Sequence, residues 1–327
     1  MRVLIIGAGA IGQAFGYHFQ QGGAQVAFLV KPKYADEARA GFTVYPMNRP
    51  AKERLTPVAF TGFDVETDLD EAAAKSWDLI AFCMSTVALM SGDWFERLSK
   101  ATGATPLLLT QPGESTAEFI RQRTSPERCA WVMLAIMSFQ SPLPGEHDLG
   151  PGVAFWYPPA SGPAVAGPKP IVDPIVKCLA AGGMPVRRVE NVQRELAYNS
   201  PILDGFVLAL EIAGFSFDRL RREPELLKLA HRAMKERWAF AKAAYGGPTP
   251  FALVFIRPLT LRLMMRALAF ITPFNVEKFF DFHYRKVAAQ TLPSLTSQIE
   301  GARAHDTPHE ALSELERRLR LARGSIE

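Results

Sequence analysis

Cysteine is scarce in this chain: Cys83, Cys129 and Cys178 are its three, spread over 327 residues. The number is odd and no CxxC pair occurs. That argues against a disulfide framework or a thiolate zinc site, and makes a reducing cytoplasm the natural compartment. The opening run Met1-Arg2-Val3-Leu4-Ile5-Ile6 reads as a buried strand, and no signal peptide is expected before it. A transmembrane run is missing too. The most apolar stretch, Phe251 to Phe274, is broken by Arg257, Arg262 and Arg266 and by Pro258 and Pro273. It makes a poor span. It reads instead as an amphipathic surface or dimer-contact helix, with a membrane-surface helix as the alternative. There is no internal repeat and no low-complexity tract. A strong charge excess is also lacking: a net charge of +4 suits an anionic small ligand and is too small to argue for nucleic acid.

What is present is apolar material and α/β punctuation. Apolar residues make up 48% and charged residues 21%, enough for packed cores and against long disorder. The length suggests two domains, at roughly 100–200 residues each. Short apolar runs at Val3–Ile6, Val26–Val30, Phe42–Tyr45, Leu79–Cys83, Leu107–Thr110 and Trp131–Ala135 alternate with helical segments. That is the pattern of a parallel sheet with crossover helices. Prolines and glycines crowd residues 141–169, which read as loops and edge strands completing the sheet. From about Val192 the periodicity is helical. The expected fold is therefore α/β: a Rossmann-type parallel-sheet domain over residues 1–185, then an all-helical domain for substrate and dimerisation over 186–327.

The strongest motif is Gly7-Ala8-Gly9-Ala10-Ile11-Gly12, set between the first strand and a helix from Ile11 to Gln20. Each glycine has its own reason. Gly7 permits a tight turn, Gly9 lets backbone approach a pyrophosphate, and Gly12 lets helix and strand pack closely. The helix start then offers free N–H groups and a positive dipole end to the anion. The second strand ends in Leu29-Val30-Lys31-Pro32-Lys33, where a site for the unphosphorylated dinucleotide would carry an acid. A lysine here suits a 2′-phosphate, so NADP(H) is the favoured cofactor. The plainer reading makes Lys31 and Lys33 solvated loop charges. Asp36 and Glu37 lie just beyond and could cap the following helix.

With these residues in place the chain resembles the ketopantoate reductase (2-dehydropantoate 2-reductase) family. The likeness rests on the glycine turn, the basic tip at Lys31 and Asp78-Leu79-Ile80-Ala81-Phe82. It extends to Leu107-Leu108-Leu109-Thr110-Gln111-Pro112-Gly113 and Glu195-Leu196. It implies a Rossmann domain followed by a helical one, NADPH, hydride delivery to a 2-keto acid or related carbonyl, and a homodimer. The sequence departs from the family at four places. Met84 stands where the family has a lysine after its fourth strand, and Pro112-Gly113 where it has Asn-Gly. By counting, Asn199 stands at the catalytic lysine, and a late acid falls near Gln290. An amide such as Asn199 can hydrogen-bond a carbonyl oxygen but cannot supply its proton.

One segment offers replacements. In Val276–Gln290, read as a helix, Val276, Phe279, Phe280 and Val287 form an apolar stripe that also carries His283 and Gln290, with Lys286 beside it. His283 would be a general acid and Lys286 an anion anchor, if that face lines the interdomain cleft; otherwise His283 is a satisfied core histidine. Around Asn199 two readings stand: one helix whose face carries Leu196, Asn199, Leu203, Phe206 and Leu210, with Asn199 buried or cleft-facing, or a helix starting at Pro201 with Ser200 as N-cap and Asn199 just outside it; Tyr198 and Asp204 lie close by. His305 and His309 precede a terminal helix that Asp306 or Thr307 can cap, a reading preferred to metal binding. Cys83 stands at a strand end near the expected cofactor. The expected site is thus Gly7, Ala8, Gly9, Ala10, Ile11, Gly12, Lys31, Met84 and Pro112 for the cofactor, Asn199, His283 and Lys286 for catalysis, and no metal ligand. The expected partner is a small anionic carbonyl compound, with no nucleic acid and no membrane. A non-catalytic NADP(H)-binding sensor on the same fold is the alternative.

Overall fold

The computed structural model describes residues 1–324, apart from the side chains of Ala252 and Gln290. The reading of Gln290 therefore lies outside the described residues. The chain divides into two compact units, Met1–Gln193 and Arg194–Glu327.

The first unit is built around a main sheet. Its strands are interleaved in sequence with those of a smaller sheet: β1 (Arg2–Ile6), β2 (Gln25–Leu29), β3 (Phe42–Pro46), β4 (Val58–Phe60), β5 (Asp64–Glu66), β6 (Leu79–Phe82), β7 (Leu107–Leu109), β8 (Cys129–Met133), β9 (Met137–Ser141), β10 (Gly152–Trp156), β11 (Ala164–Ala166) and β12 (Arg187–Arg188). The main sheet runs β12-β11-β8-β7-β6-β1-β2-β5. From β8 to β5 every pairing is parallel. The helices of this unit are α1 (Ala10–Gln21), α2 (Ala35–Arg39), α3 (Leu69–Ala73), α4 (Thr86–Met90), α5 (Trp94–Ala101), α6 (Glu114–Arg121) and α7 (Lys169–Ala181).

Strand β1 shows why the sheet must be covered on both faces. Val3 and Ile5 enter one core with Phe15 and Phe19 of α1 and Ile175 and Leu179 of α7. Leu4 and Ile6 enter the other with Leu89 of α4, Phe95 and Leu98 of α5 and Ile120 of α6. An uninterrupted apolar strand has no wet face, so it needs helices on each side. Each fully buried side chain of this size contributes about 2 kcal/mol.

The chain winds outward from β1 through β2 to β5, then returns to the far side of β1 with β6. The winding direction reverses between β1 and β6, and beyond the carboxyl ends of two such strands an open crevice forms.

Two strand expectations need correction. Phe42–Pro46 does not join the main sheet. It lies in the smaller sheet, ordered β4-β3-β10-β9, where Val44 pairs in parallel with Val153. It pairs antiparallel with the nearby β4, but its parallel partner β10 is more than a hundred residues away, so no local pattern reveals that second pairing. The place beside β2 is taken by the three-residue β5, whose ends are Asp64 and Glu66. The proline-rich segment also divides between sheets. It places β10 in the smaller one, while β11 runs antiparallel to β8 in the main one.

Helix α8 (Val192–Ile212) leads into the second unit, which continues with α9 (Phe217–Arg221), α10 (Pro224–Tyr245), α11 (Pro258–Ile271), α12 (Val276–Lys286), α13 (Ala288–Ala304) and α14 (Glu310–Gly324). Helix α10 packs against α9, α11, α13 and α14. Its Glu236 accepts hydrogen bonds from the backbone N–H groups of Ala311 and Leu312, at 2.8 and 2.9 Å, and so caps α14. Of the two readings around Asn199, the helix start at Pro201 is not found. Helix α8 runs through it, and Pro201 simply deprives the Ala197 carbonyl of its usual intrahelical donor.

Candidate functional site

The glycine turn lies at the carboxyl end of β1, beside that of β6. Gly7 adopts a φ of 101°, open to glycine, and its N–H donates to the Leu29 carbonyl at 3.3 Å. A Cβ on Gly7 would meet the Cys83 carbonyl oxygen at 2.7 Å. At Gly9 the situation is the opposite, because a Cβ there would meet nothing within 4 Å. The space over Gly9 is therefore open, and only the absence of a side chain keeps it so. Gln13, buried in α1, donates to the Ala8 carbonyl at 2.9 Å and fixes the loop from below.

Helix α1 begins at Ala10 with Gly9 as N-cap, no side-chain cap and no acid in its first turn. Its first N–H groups, including those of Ala10 and Ile11, are the ones a helix start leaves without intrahelical acceptors. Such donors and the positive end of the helix dipole suit a diphosphate, and the bare Gly9 gives it room. The residues present thus fit a dinucleotide.

At the tip of β2, Lys31 is exposed and opens a short turn, Pro32–Tyr34. The Lys33 ammonium lies 4.8 Å over the Tyr34 ring. The acid nearest in pairing, Glu66 of β5, is buried and bound by Lys75 at 2.6 Å, so it offers no free charge at the tip. Asp36 and Glu37 stand in the first turn of α2, but no side chain caps that helix. Asp36 meets Arg39 at 3.4 Å instead.

Across the crevice, Met84 follows β6 and Pro112 follows β7. Between them lies a connection that sequence reasoning did not assign. The Gln111 amide nitrogen donates to the Phe82 carbonyl at 3.1 Å and the Met84 carbonyl at 2.5 Å, while Thr110 Oγ1 donates to the same Phe82 carbonyl at 2.8 Å. Two carbonyl acceptors fix which end of the amide is nitrogen. Gln111 Oε1 is left buried with no donor. The signal available was a lone amide directly after an apolar strand. Cys83, at the end of β6, is buried, and burial pushes its thiol up to about 12. It is an inert packing group, not a nucleophile.

In the second unit, the Asn199 side chain is exposed on α8, and its Nδ2 donates to the Glu195 carbonyl at 2.7 Å. Tyr198 is buried, and its hydroxyl donates to the Gly246 carbonyl at 2.9 Å, a structural contact. On α12, Val276, Phe279 and Phe280 are buried, His283 is half-buried and Lys286 is exposed. The His283 ring stacks on Phe279 at 5.4 Å. Burial, helped by the Lys286 charge, holds its imidazole below the usual histidine range. Arg285 takes the carboxylate of Asp281, which leaves Lys286 without an acidic partner among the described residues. His283 and Lys286 are thus brought together, whereas no hydrogen bond, ion pair or ring contact joins Asn199 to either.

A second group in this unit was missed. Asp204 of α8 is coupled through its charge to Arg237 of α10 and Tyr284 of α12. Burial pushes the Asp204 carboxyl up, against the pull of Arg237 and the Ser200 hydroxyl. Burial likewise lowers Arg237, whose Nε is buried with no partner. The sequence signal was there, since Arg237 falls on the same stripe of α10 as the buried Ala230, Ala233, Met234 and Ala241. Among the described residues, no cluster of three or more His, Cys, Asp or Glu is placed to hold a metal.

Comparison with known proteins bears on the fold. Residues 3–155 match the family model described as ketopantoate reductase PanE/ApbA. No curated protein matches the sequence. Solved structures share the fold along the chain. A PanE/ApbA family ketopantoate reductase from Ralstonia eutropha JMP134 is 18% identical, covers 99% of each chain and gives a TM-score of 0.67. A 2-dehydropantoate 2-reductase from Geobacter metallireducens GS-15 is 17% identical over 98% of this chain and 100% of its own, with a TM-score of 0.68. A D-mandelate dehydrogenase, solved with NADH and anilino(oxo)acetate, is 12% identical over 99% of each chain, with a TM-score of 0.66. This chain is therefore similar to the ketopantoate reductases, in sequence over residues 3–155 and in fold along almost its whole length, with a Rossmann-type nucleotide-binding domain at its N-terminus.

Proposed function

We propose that this chain is an NADPH-dependent oxidoreductase that reduces a 2-keto acid or related carbonyl compound. The observation that carries the reading is the uncapped start of α1 over the bare Gly9, at the point where the sheet reverses direction. Gly7, Ala8, Gly9, Ala10, Ile11 and Gly12 would hold the diphosphate, Lys31 the 2′-phosphate, and Met84 and Pro112 would border the nicotinamide end. NADPH supplies the hydride that adds to the carbonyl carbon.

The chain must then help the carbonyl oxygen acquire a proton, so that C=O becomes CH–OH. His283 in its protonated form can give that oxygen a proton, and burial beside Lys286 confines that form to the acid side of the usual histidine range. Lys286, lacking an acidic partner, suits the substrate carboxylate. Asn199 can hydrogen-bond the substrate but cannot protonate it. Three unpaired thiols, two of them buried, suit a reducing compartment such as the cytoplasm.

The alternative is a nucleotide-binding sensor without turnover. It is favoured by Asn199, an amide whose nitrogen already serves the Glu195 carbonyl. One experiment separates the two: NADPH binding by fluorescence, then loss of NADPH absorbance against a panel of 2-keto acids that includes ketopantoate and phenylglyoxylate. Turnover of any member supports the enzyme. Tight binding with no turnover across the panel supports the sensor.

A further inference from the structure

Helix α11 turns two apolar faces outward from its axis, and the fold uses only one of them. Leu261 and Met265 are buried, on the side where α11 meets α10. Leu259, Arg262, Leu263, Arg266 and Phe270 follow one another at helical spacing on a different face. That face is exposed: Leu259 is 66% accessible, Leu263 53% and Phe270 90%. In the preceding turn Phe251 and Phe255 are exposed as well. Scattered exposed leucines are ordinary, but a contiguous run of this kind marks a contact surface.

Its charge is one-sided. Between Glu236 and Glu277 the sequence holds no Asp or Glu, while Arg257, Arg262 and Arg266 all fall on or just before α11. Beside α11, the short α9 adds Arg221 and Arg222. The two helices line a cavity of about 430 Å³ that gathers four guanidinium groups around one carboxylate, Asp218. Asp218 is taken by Arg221. Arg222, Arg262 and Arg266 have no acidic partner among the described residues.

We propose that the outward face of α11, with the arginine-lined cavity beside it, docks on the surface of an anionic phospholipid bilayer. Lipid phosphates would pair with Arg222, Arg262 and Arg266, and Leu259, Leu263 and Phe270 would enter the boundary between headgroups and acyl chains. A second copy of the chain is the poorer occupant. A two-fold contact across this face would set Arg262 and Arg266 against their own images, with no free carboxylate to separate them. The bilayer satisfies both halves of the surface at once. No helix among the described residues is long and apolar enough to cross a membrane, so the proposal concerns its surface only.

The test is co-sedimentation of the whole protein with vesicles of equal parts phosphatidylglycerol and phosphatidylcholine, beside phosphatidylcholine alone. Binding is expected to the anionic vesicles only and to weaken as salt rises. Arg262→Ala with Arg266→Ala should weaken it about 25-fold, at about fivefold for each arginine near the surface. Phe270→Ser should weaken it about tenfold, because a side chain this exposed is not needed for folding. Thermal melting and NADPH binding should stay unchanged in both variants. The proposal is overturned if the anionic vesicles do not sediment the protein, or if neutral ones do so equally well. It also fails if the arginine variant binds like the wild type. If free inorganic phosphate displaces the vesicles beyond the effect of chloride at equal ionic strength, the cavity serves a soluble phosphate instead. If Phe270→Ser turns a dimer into a monomer without vesicle binding, the occupant is a second copy.

Discussion

A Cβ on Gly12 would lie 1.9 Å from the carbonyl oxygen of Gly7. The helix start and the strand end therefore touch backbone to backbone, and glycine at 12 is a requirement of folding. Gly12→Ala should cost about 3 kcal/mol of stability. Gly9→Val is expected to behave differently. Gly9 has an extended backbone that valine adopts and free space around its Cβ position. It should melt like the wild type and lose NADPH binding, read by calorimetry and fluorescence titration. Undiminished affinity in Gly9→Val would show that the diphosphate does not rest on this turn.

Lys31→Glu should reverse the nucleotide preference. The tip of β2 presents lysine, and its neighbouring acid Glu66 is already bound by Lys75. The ratio of NADPH to NADH affinity should fall about a hundredfold, as expected for losing one charge-assisted phosphate contact and adding a repulsion. Both affinities are measured by titration. A ratio that does not move would make Lys31 a bystander.

His18 should impose an acid limit on stability. It is buried in α1 against Phe155 and Tyr157, its Nδ1 bonds the Gly182 carbonyl at 2.7 Å, and its Nε2 has no partner. Burial lowers it from 6.5 to about 4. The unfolded chain takes up a proton as pH drops below 6.5, and the folded chain resists until about 4. Stability from this group is therefore full above pH 6.5 and declines between 6.5 and 4, by about 3 kcal/mol in all. Urea midpoints across that window should slope with pH in the wild type and flatten in His18→Leu.

The thiols should be silent in the native protein. Burial raises Cys83 to about 12 and Cys129 to about 11, and it also raises the half-buried Cys178. A disulfide reagent at neutral pH should react slowly with the folded chain, with Cys178 first, and rapidly with all three in denaturant. Fast native labelling of Cys83 would mean that the crevice opens more widely than its burial allows.

Activity should report on His283. If it donates the carbonyl proton, kcat should be highest at acidic pH and fall as pH rises through its lowered range, below the ordinary 6.5. His283→Asn should reduce kcat about a hundredfold. Lys286→Ala removes a repelling charge, so the falling limb should move to higher pH while KM for the keto acid rises about tenfold. An unchanged profile in Lys286→Ala would remove both residues from the reaction.

What the sequence revealed and what it hid divide along physical lines. Strand β1, the glycine turn and α1 are contiguous, and each glycine has a local steric reason, so that part was legible residue by residue. Strand β3 was misplaced because its parallel partner β10 comes from the far end of the unit, and that pairing is not written locally. Strand β5 was overlooked because three residues ending in acids carry no pattern. Pro201 suggested a helix break that tertiary packing overrides. The placement of His283 on an apolar stripe could be counted at a spacing of three to four. The joining of Asp204, Arg237 and Tyr284 from three helices could not, since it depends on how those helices pack.

Gln111 ties the end of β6 to the end of β7 through a single amide shared between Phe82 and Met84. The loops bearing Met84 and Pro112 are thereby one inherited part instead of two. A lineage that altered one loop to admit a new substrate would have to carry the other along, or else first give up the glutamine that fastens them.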